Sequence, residues 1–405
     1  MALFAILAML TGFFFSRAVL SMAMMLFGLN ALIGVHPKQW LKNRWWLLGM
    51  LWVGCYFLSW FWSNDPGYWN TRVQVKLPVM LLPLAFAFTP AFTYRQLKIF
   101  TMVLVFVLLA GAFYSLSFLI TDPEHYIKGY MYSHVLPTLP ENDHIRFSLA
   151  VTGGIIWCVY FIPQIRERWL KWLGVATVIF LALYLHILAA RTGLVAFYIF
   201  IAFWTLYLSI RKKTRLIGIS LIVLFSAGAF AAVKFVPTLM HRVYYLKYTI
   251  EQFRDGQRTG NYSDMGRVIS YDIALRLIRE RPLQGVGAGN ILDTMKRGYD
   301  RWYPQVTPDQ RLIPHNQFLT VGVACGIPAM IIFIIWVVYP VWTIRRNRAG
   351  FFFLITWAVM LIPLLVEPVL EVQYGVFVYL FFLLWQYQAM RRPAIADDPK
   401  TKIQQ

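Results

Sequence analysis

The sequence is poor in charged residues. Only 14% of its 405 residues are Asp, Glu, Lys or Arg, whereas soluble globular proteins contain about 25%. Hydrophobic residues make up 59% of the chain. This combination excludes a soluble globular protein and indicates a chain that crosses a membrane several times. Because backbone polar groups have no other partner in lipid, the spans must be helices. The expected fold is an all-α polytopic membrane protein.

Patterns typical of metal sites are also absent from the sequence. The three cysteines, Cys55, Cys158 and Cys325, lie inside apolar segments, where a small buried side chain is the usual role. No Cys and His residues have metal-ligand spacing. The Asp-x-Asp pair that holds a divalent cation beside a sugar nucleotide does not occur. We therefore expect a protein that uses no metal ion and no cofactor.

Twelve apolar segments are predicted to be transmembrane helices, since a span needs about 20 apolar residues. The first two are short and could form a re-entrant pair. The predicted spans are residues 2–15, 18–34, 45–62, 75–92, 97–120, 147–162, 169–190, 193–210, 216–236, 317–342, 351–366 and 375–390. The chain thus divides into nine spans in residues 1–236, a loop 237–316, three spans in residues 317–390 and a tail 391–405.

The net charge of +20 is divided between the two sides of the membrane. Basic residues fill alternate connections at 38–44, 95–98, 166–171, 211–215 and 345–348, and also the tail. By the positive-inside rule, these connections and both termini are cytoplasmic. A nucleic-acid partner is therefore not expected. Twelve further Lys and Arg residues lie in the loop 237–316, on the opposite side, and they require another explanation.

The loop 237–316 is predicted to be one large helical loop on the side of the membrane opposite the cytoplasm. Helical spacing of apolar residues predicts helices over 240–253, 266–281 and 291–301. The stretch Gly285-Val-Gly-Ala-Gly289 superficially resembles a nucleotide-binding loop. It follows a helix rather than a strand and lacks the lysine of a phosphate loop, so we reject that interpretation.

His315 lies where this loop meets the apolar segment 317–342. The positive end of the following helix disfavours the imidazolium ion, so the ring is expected to stay neutral near pH 7. A neutral histidine at this position could act as a general base on a group at the membrane surface. The alternative is an ordinary histidine at the membrane–water interface.

Arg191 lies in the very short connection Ala190-Arg-Thr-Gly193 between two spans. An arginine so close to hydrocarbon is costly unless it has a partner, which makes it a candidate functional residue. Its planar guanidinium could hold a phosphate or diphosphate through two hydrogen bonds. The alternative is a side chain that reaches up to the lipid headgroups.

Four other cations are weaker candidates for substrate binding: Arg267 in the loop, and Arg72, Lys76 and Arg146 near span ends on the same side. Together they suit an anionic ligand at the membrane surface. Attraction to lipid headgroups is the rival explanation.

Three of these stretches, in this order, resemble the O-antigen ligase family, whose shared part is the Wzy_C region. They are Ala190-Arg191-Thr-Gly193, Gly266-Arg267 followed by Arg281-Pro-Leu-Gln-Gly-Val-Gly-Ala-Gly289, and His315-Asn316 followed after nine residues by Gly326. The resemblance covers about residues 180–345.

The resemblance implies transfer of a glycan from undecaprenyl diphosphate on the outer face of the bacterial inner membrane, without a metal ion. It implies that His315 and Arg191 are catalytic and that Arg267 helps to bind the diphosphate. Arg72, Lys76 and Arg146 match no motif of the family, so their predicted roles rest on charge and location.

The predicted function is therefore an O-antigen ligase that joins the glycan to a lipid A–core sugar with inversion of configuration. Within the family, an O-antigen polymerase or a protein O-oligosaccharyltransferase remains an alternative. A flippase or transporter for the same lipid-linked glycan is the alternative from another class, and it predicts polar residues deep inside several spans. The expected partners are the lipid-linked glycan, the lipid A–core acceptor and membrane lipids.

Overall fold

The computed structural model describes residues 1–33, 37–130, 134–139, 141–254 and 263–391. This part of the chain is helical and contains no strand. Residues 255–262 of the predicted loop and residues 392–405 of the predicted tail lie outside it. The helices are α1 Ala2–Phe15, α2 Arg17–Leu32, α3 Pro37–Trp40, α4 Arg44–Leu58, α5 Pro66–Phe88, α6 Tyr94–Thr121, α7 Pro123–Gly129, α8 His144–Phe161, α9 Arg168–Leu188, α10 Arg191–Ile210, α11 Arg215–Phe235, α12 Pro237–Arg254, α13 Ser263–Glu280, α14 Ile291–Trp302, α15 Gln317–Val338, α16 Arg348–Val366 and α17 Gln373–Arg391.

Nine helices in the described residues are long and apolar enough to cross a membrane: α4 to α6, α8 to α11, α15 and α16. The helices α1 and α2 are apolar but contain only 14 and 16 residues, and α17 is not among the nine. The all-helical fold predicted from the sequence is confirmed. The nine candidate spans support a multi-pass membrane protein, and the count of twelve stays a prediction.

Hydrogen bonds between helix ends show which ends of the spans lie together. At one end of the bundle, Trp45 Nε1 donates to the Trp336 carbonyl (3.1 Å), Arg348 Nη2 to the Tyr160 carbonyl (3.0 Å) and Gln388 Nε2 to the Thr89 carbonyl (3.0 Å). With the ring pairs Trp45–Tyr387 and Trp157–Trp385, these contacts bring the beginnings of α4 and α16 together with the ends of α5, α8, α15 and α17. The beginnings of α8 and α15 and the end of α16 therefore share the opposite end, here called the His315 end, which carries Arg146, His315 and Glu367.

The helix α15 is broken eleven residues after His315. Gly326 has φ +83°, a conformation that an L side chain rarely adopts. Pro328 has no N–H, so the carbonyl of Ala324 loses its helical partner. The N–H of Gly287 donates to that carbonyl instead, at 3.0 Å. The break in α15 is thus satisfied by the glycine-rich stretch that the sequence places after α13.

The glycine-rich stretch 285–289 packs directly against the broken helix. Gly285 has φ +67°, and a Cβ there would lie 2.5 Å from the carbonyl oxygen of Val323. The N–H of Val286 donates to the same oxygen at 2.8 Å. These glycines allow close backbone contact between the α13–α14 connection and α15, which gives them a packing role. The contact also holds α13 and α14 at the His315 end.

Candidate active site

His315 lies in the short connection that leads into α15, where Asn316 caps the helix by accepting from Leu319 N at 3.0 Å. The ring Nδ1 lies 3.0 Å from the carbonyl oxygen of Ile313. Because a carbonyl can only accept, Nδ1 carries the proton of this hydrogen bond. In the neutral ring, Nε2 then has the free lone pair. Nε2 is therefore the atom that can accept a proton from a substrate.

The main chain around His315 is held from two sides. On the α13 side, the N–H of His315 donates to Ser270 Oγ (3.2 Å), and the hydroxyl of Tyr271 donates to the His315 carbonyl (2.9 Å). On the α16 side, Asn316 Nδ2 donates to the carbonyl of Leu365 (2.9 Å). These contacts use the backbone and a neighbouring amide. They fix the position of the imidazole without occupying Nε2.

Glu367, directly after α16, joins His315 to Arg267. Its Oε2 lies 3.7 Å from His315 Nε2, and its Oε1 accepts from Arg267 Nη2 at 2.5 Å. The carboxylate is 7% exposed, whereas His315 and Arg267 are 19% and 25% exposed. A shielded carboxylate between a base and a guanidinium can stabilise positive charge on either neighbour.

Glu367 was not predicted from the sequence as a site residue. The signal was present, because an acidic residue lies in the short connection between two apolar segments. The argument that selected Arg191, the cost of a charge beside hydrocarbon, applies equally to this residue.

Arg191 is the first residue of α10, after a turn of two alanines. Ala189 adopts the left-handed conformation (φ 47°, ψ 32°) and Ala190 is extended; both are buried. A Cβ on Gly193 would lie 2.3 Å from the Cβ of Ser148, so the beginnings of α8 and α10 are in direct contact. The tight turn expected from the sequence is present. It fixes Arg191 at the end of the helix that touches α8.

The register of α10 and α16 places Arg191 at the same end as Glu367. The rings of Tyr207 and Phe351 stack with their centroids 3.9 Å apart, where α10 ends and α16 begins. Arg191 lies sixteen residues before Tyr207, and Glu367 lies sixteen residues after Phe351. The beginning of α10 touches the beginning of α8, whereas the beginning of α16 lies at the end of α8. The packed helices α10 and α16 therefore run in opposite directions, and Arg191 belongs to the His315 end.

Arg146 lies in the first turn of α8, also at the His315 end. Asp143 caps the helix by accepting from the Arg146 N–H (3.1 Å), and its carboxylate also contacts Arg146 Nη1 (3.4 Å). The arginine side chain is only 11% exposed. Since Ser148 touches Gly193 of α10, the two arginines lie on adjoining helix beginnings. The carboxylate of Asp143 offsets part of the positive charge of Arg146.

Arg72 and Lys76 lie one turn apart on α5, and both contact Glu371, in the connection between α16 and α17. Lys76 Nζ lies 2.8 Å from Glu371 Oε2. Arg72 Nη1 donates to the main-chain carbonyl of Glu371 (3.0 Å) and lies 3.5 Å from Oε2. The Lys76 side chain is 0% exposed, and its Nζ lies 4.1 Å from the centroid of the Tyr56 ring. The two cations predicted to bind substrate thus point towards this carboxylate.

Glu371 is linked to the His315 segment through Gln317. Gln317 Nε2 donates to Glu371 Oε1 (3.0 Å), and Gln317 Oε1 accepts from Leu370 N (2.7 Å). Although burial opposes ionisation, the positive charges of Lys76 and Arg72 hold the pKa of the Glu371 carboxyl below its ordinary value. This buried network joins α5 and α15 to the connection that also carries Glu367. Glu371, too, was not predicted from the sequence.

The part of the chain that the structure describes holds no group of three or more His, Cys, Asp or Glu side chains placed to bind a metal ion. The charged and titratable groups described above at the His315 end are the imidazole of His315, the carboxylates of Asp143, Glu367 and Glu371, the ammonium of Lys76 and several guanidinium groups. That the reaction needs no metal or cofactor stays a prediction.

Comparison with known proteins gives one family. The family model described as O-antigen ligase, the Wzy_C region, matches residues 176–334. The matched segment contains Arg191, Arg267 and His315, whereas Glu367 lies beyond its end. A search of the curated proteins finds no match.

Proposed function

We propose that this chain, whose residues 176–334 belong to the O-antigen ligase family, transfers a glycan from undecaprenyl diphosphate to a sugar hydroxyl of lipid A–core. The family supports ligase- or polymerase-type glycosyl transfer in general. The observation that carries the finer proposal is the chain of contacts His315–Glu367–Arg267 at the end of the bundle where Arg191 also lies. It combines a proton acceptor with cations for an anionic leaving group.

His315 Nε2 takes the proton from the acceptor hydroxyl, and the hydroxyl oxygen attacks the anomeric carbon of the donor. The bond from that carbon to the diphosphate oxygen breaks, and its electron pair leaves with undecaprenyl diphosphate. Since attack and departure occur on opposite faces, the configuration inverts. The leaving group is already anionic and needs no proton.

Glu367 stabilises the imidazolium that forms in this step. When Nε2 has taken the proton, it can donate to Glu367 Oε2, which lies 3.7 Å away in the present structure. A carboxylate in this position acts electrostatically and need not become protonated. Its second oxygen keeps Arg267 close to the base.

Arg191 and Arg267 stabilise the negative charge that develops on the diphosphate. Arg267 is bonded to Glu367 in the present structure, so the diphosphate competes with that carboxylate for the guanidinium. Arg146 adds positive charge from the adjoining helix beginning. Arg72 and Lys76 contact Glu371 and not a free surface. We infer that they contribute to substrate binding indirectly, because they position the connection that also carries Glu367.

We place the protein in the bacterial inner membrane with the His315 end facing the periplasm. Basic residues fill the connections at the opposite end of the bundle, which the positive-inside rule assigns to the cytoplasm together with both termini. The helices α12, α13 and α14 would then form the periplasmic loop.

The decisive assay uses purified protein in liposomes with a lipid-linked glycan and one acceptor at a time. We expect the glycan to appear on lipid A–core. Transfer only to a second lipid-linked glycan would make the protein a polymerase, and transfer only to a peptide serine or threonine would make it a protein glycosyltransferase. Movement of the donor across the bilayer with no new glycosidic bond would establish a transporter instead.

Glu367→Gln tests the electrostatic part of the mechanism. Hydrogen bonds to charged groups are worth about 1.5–3 kcal/mol, so we expect kcat to fall roughly tenfold to a hundredfold. KM for the donor should stay the same or decrease, because Arg267 loses its intramolecular partner. Steady-state kinetics in liposomes measure both constants.

The control for Glu367→Gln is Glu124→Gln, which neutralises a carboxylate that is 78% exposed. This variant should behave like the unmodified protein. If Glu367→Gln has an unchanged kcat and a higher KM for the donor, Glu367 does not assist the proton transfer. Its role would then be limited to donor binding.

A further inference from the structure

A cavity of about 440 Å³ lies between α13 and α14, and the proposed mechanism does not use it. Arg281, Arg297 and Arg301 line it, together with one acidic residue, Glu280, and the ring of Trp302. Neither helix is among the candidate membrane spans. We call this site the arginine cavity. Its lining carries more positive than negative charge.

The ion pairs at the rim of the arginine cavity are weak. Arg301 Nη1 lies 3.5 Å from Glu280 Oε1, and Arg297 Nη1 lies 3.1 Å from Asp293 Oδ2. The two arginine side chains are 70% and 66% exposed. Solvent-exposed pairs of this kind contribute little to stability. An incoming phosphate or carboxylate can therefore replace these partners and bind the guanidinium groups through paired hydrogen bonds.

The side chain of Asn290 lines the cavity and is 9% exposed. Its Nδ2 donates to the carbonyls of Val286 (2.8 Å) and Trp62 (2.9 Å), and its Oδ1 accepts from Asn64 N (2.7 Å). Because all these hydrogen bonds are made within the protein, the position of Asn290 does not depend on a ligand. The ring of Trp302 also lines the cavity, and the guanidinium carbons of Arg301 and Arg276 lie 5.2 Å and 5.3 Å from its centroid.

A second cavity adjoins the arginine cavity and reaches Ile313, two residues before His315. It has a volume of about 560 Å³ and shares Asn64 and Asn290 with the arginine cavity. At its far side it is lined by Ile313, whose carbonyl holds His315 Nδ1. The two cavities thus lie side by side, and the second is bounded by the segment that carries His315.

We propose that the arginine cavity binds an anionic sugar, one that carries a phosphate or a carboxylate, within the oligosaccharide that reacts at His315. The inference rests on the proposed function and names a substrate class for it. The position of the cavity between two helices that are not candidate membrane spans, and beside the segment of His315, favours a sugar phosphate or sugar acid over a lipid headgroup.

The test is the double variant Arg297→Gln/Arg301→Gln in the liposome assay. With an acceptor whose sugars carry phosphate, we expect KM to rise about tenfold or more while kcat stays unchanged, because charge-assisted bonds are lost away from the reacting atoms. After enzymatic removal of the phosphates, variant and unmodified protein should have the same KM. A parallel pair of donors, one with an acidic and one with a neutral glycan, shows whether the anionic sugar belongs to the donor instead.

The control Lys247→Gln/Arg279→Gln removes the same charge from exposed positions that do not line the cavity, and it should leave every KM unchanged. A KM increase that is equal for phosphorylated and dephosphorylated acceptors, or for the control, would overturn the proposal. Direct titration with a soluble phosphorylated oligosaccharide distinguishes failure of the cavity proposal from failure of the proposed function. If the unmodified protein binds this oligosaccharide but transfers no glycan, and the double variant binds it more weakly, the cavity proposal is supported and the proposed function is rejected.

Discussion

Replacement of His315 by alanine is expected to lower glycan transfer by about 10² to 10⁴, the usual contribution of a general base. Donor binding should persist, because the proposed mechanism assigns the diphosphate to Arg191 and Arg267. The contacts that position this segment from Ser270 and Tyr271 go to the main chain of residue 315, so the substitution leaves them intact. Transfer and binding of the lipid-linked donor are measured separately in liposomes.

The matched control is His125→Ala, which removes an exposed histidine from α7 and should leave transfer unchanged. Near-normal transfer by His315→Ala, or loss of transfer on addition of EDTA, would contradict the mechanism.

Helix positions outside the apolar segments were predictable where local signals are strong. The predicted loop helices 240–253, 266–281 and 291–301 correspond to α12, α13 and α14, because apolar spacing and the proline at 282 mark them. The span predicted over 75–92 instead begins at Pro66, since Asp65 caps the helix by accepting from Tyr68 N. Hydropathy cannot detect such polar first turns, although they carry Arg72.

The cations of the site were visible in the sequence, but their partners were not. Glu367 lies one hundred residues after Arg267, and Glu371 lies almost three hundred residues after Lys76. Pairs so distant depend on which helices pack together, and no local pattern encodes that. Lys76 illustrates the consequence: charge and location predicted a cation that faces a ligand. Because a buried ammonium needs a counter-ion, the fold turns it towards Glu371.

Arg191→Lys is expected to lower transfer by about 10² to 10³, the usual cost of removing one preorganised group that stabilises a developing charge. Lysine keeps the positive charge but loses the planar pair of donors that matches a phosphate. The preceding turn is formed by Ala189 and Ala190, so α10 should still begin at the same residue. The amount of protein in the membrane should therefore stay normal.

The control is Arg211→Lys, the same substitution directly after the other end of α10, where the guanidinium carbon lies 4.3 Å from the centroid of the Tyr207 ring. Transfer kinetics and membrane levels of both variants are compared with those of the unmodified protein. Arg211→Lys should retain transfer, because its charge lies at the end of the bundle opposite His315. If Arg191→Lys transfers as fast as Arg211→Lys, the geometry of the guanidinium is irrelevant, and Arg191 only anchors α10 to the lipid headgroups.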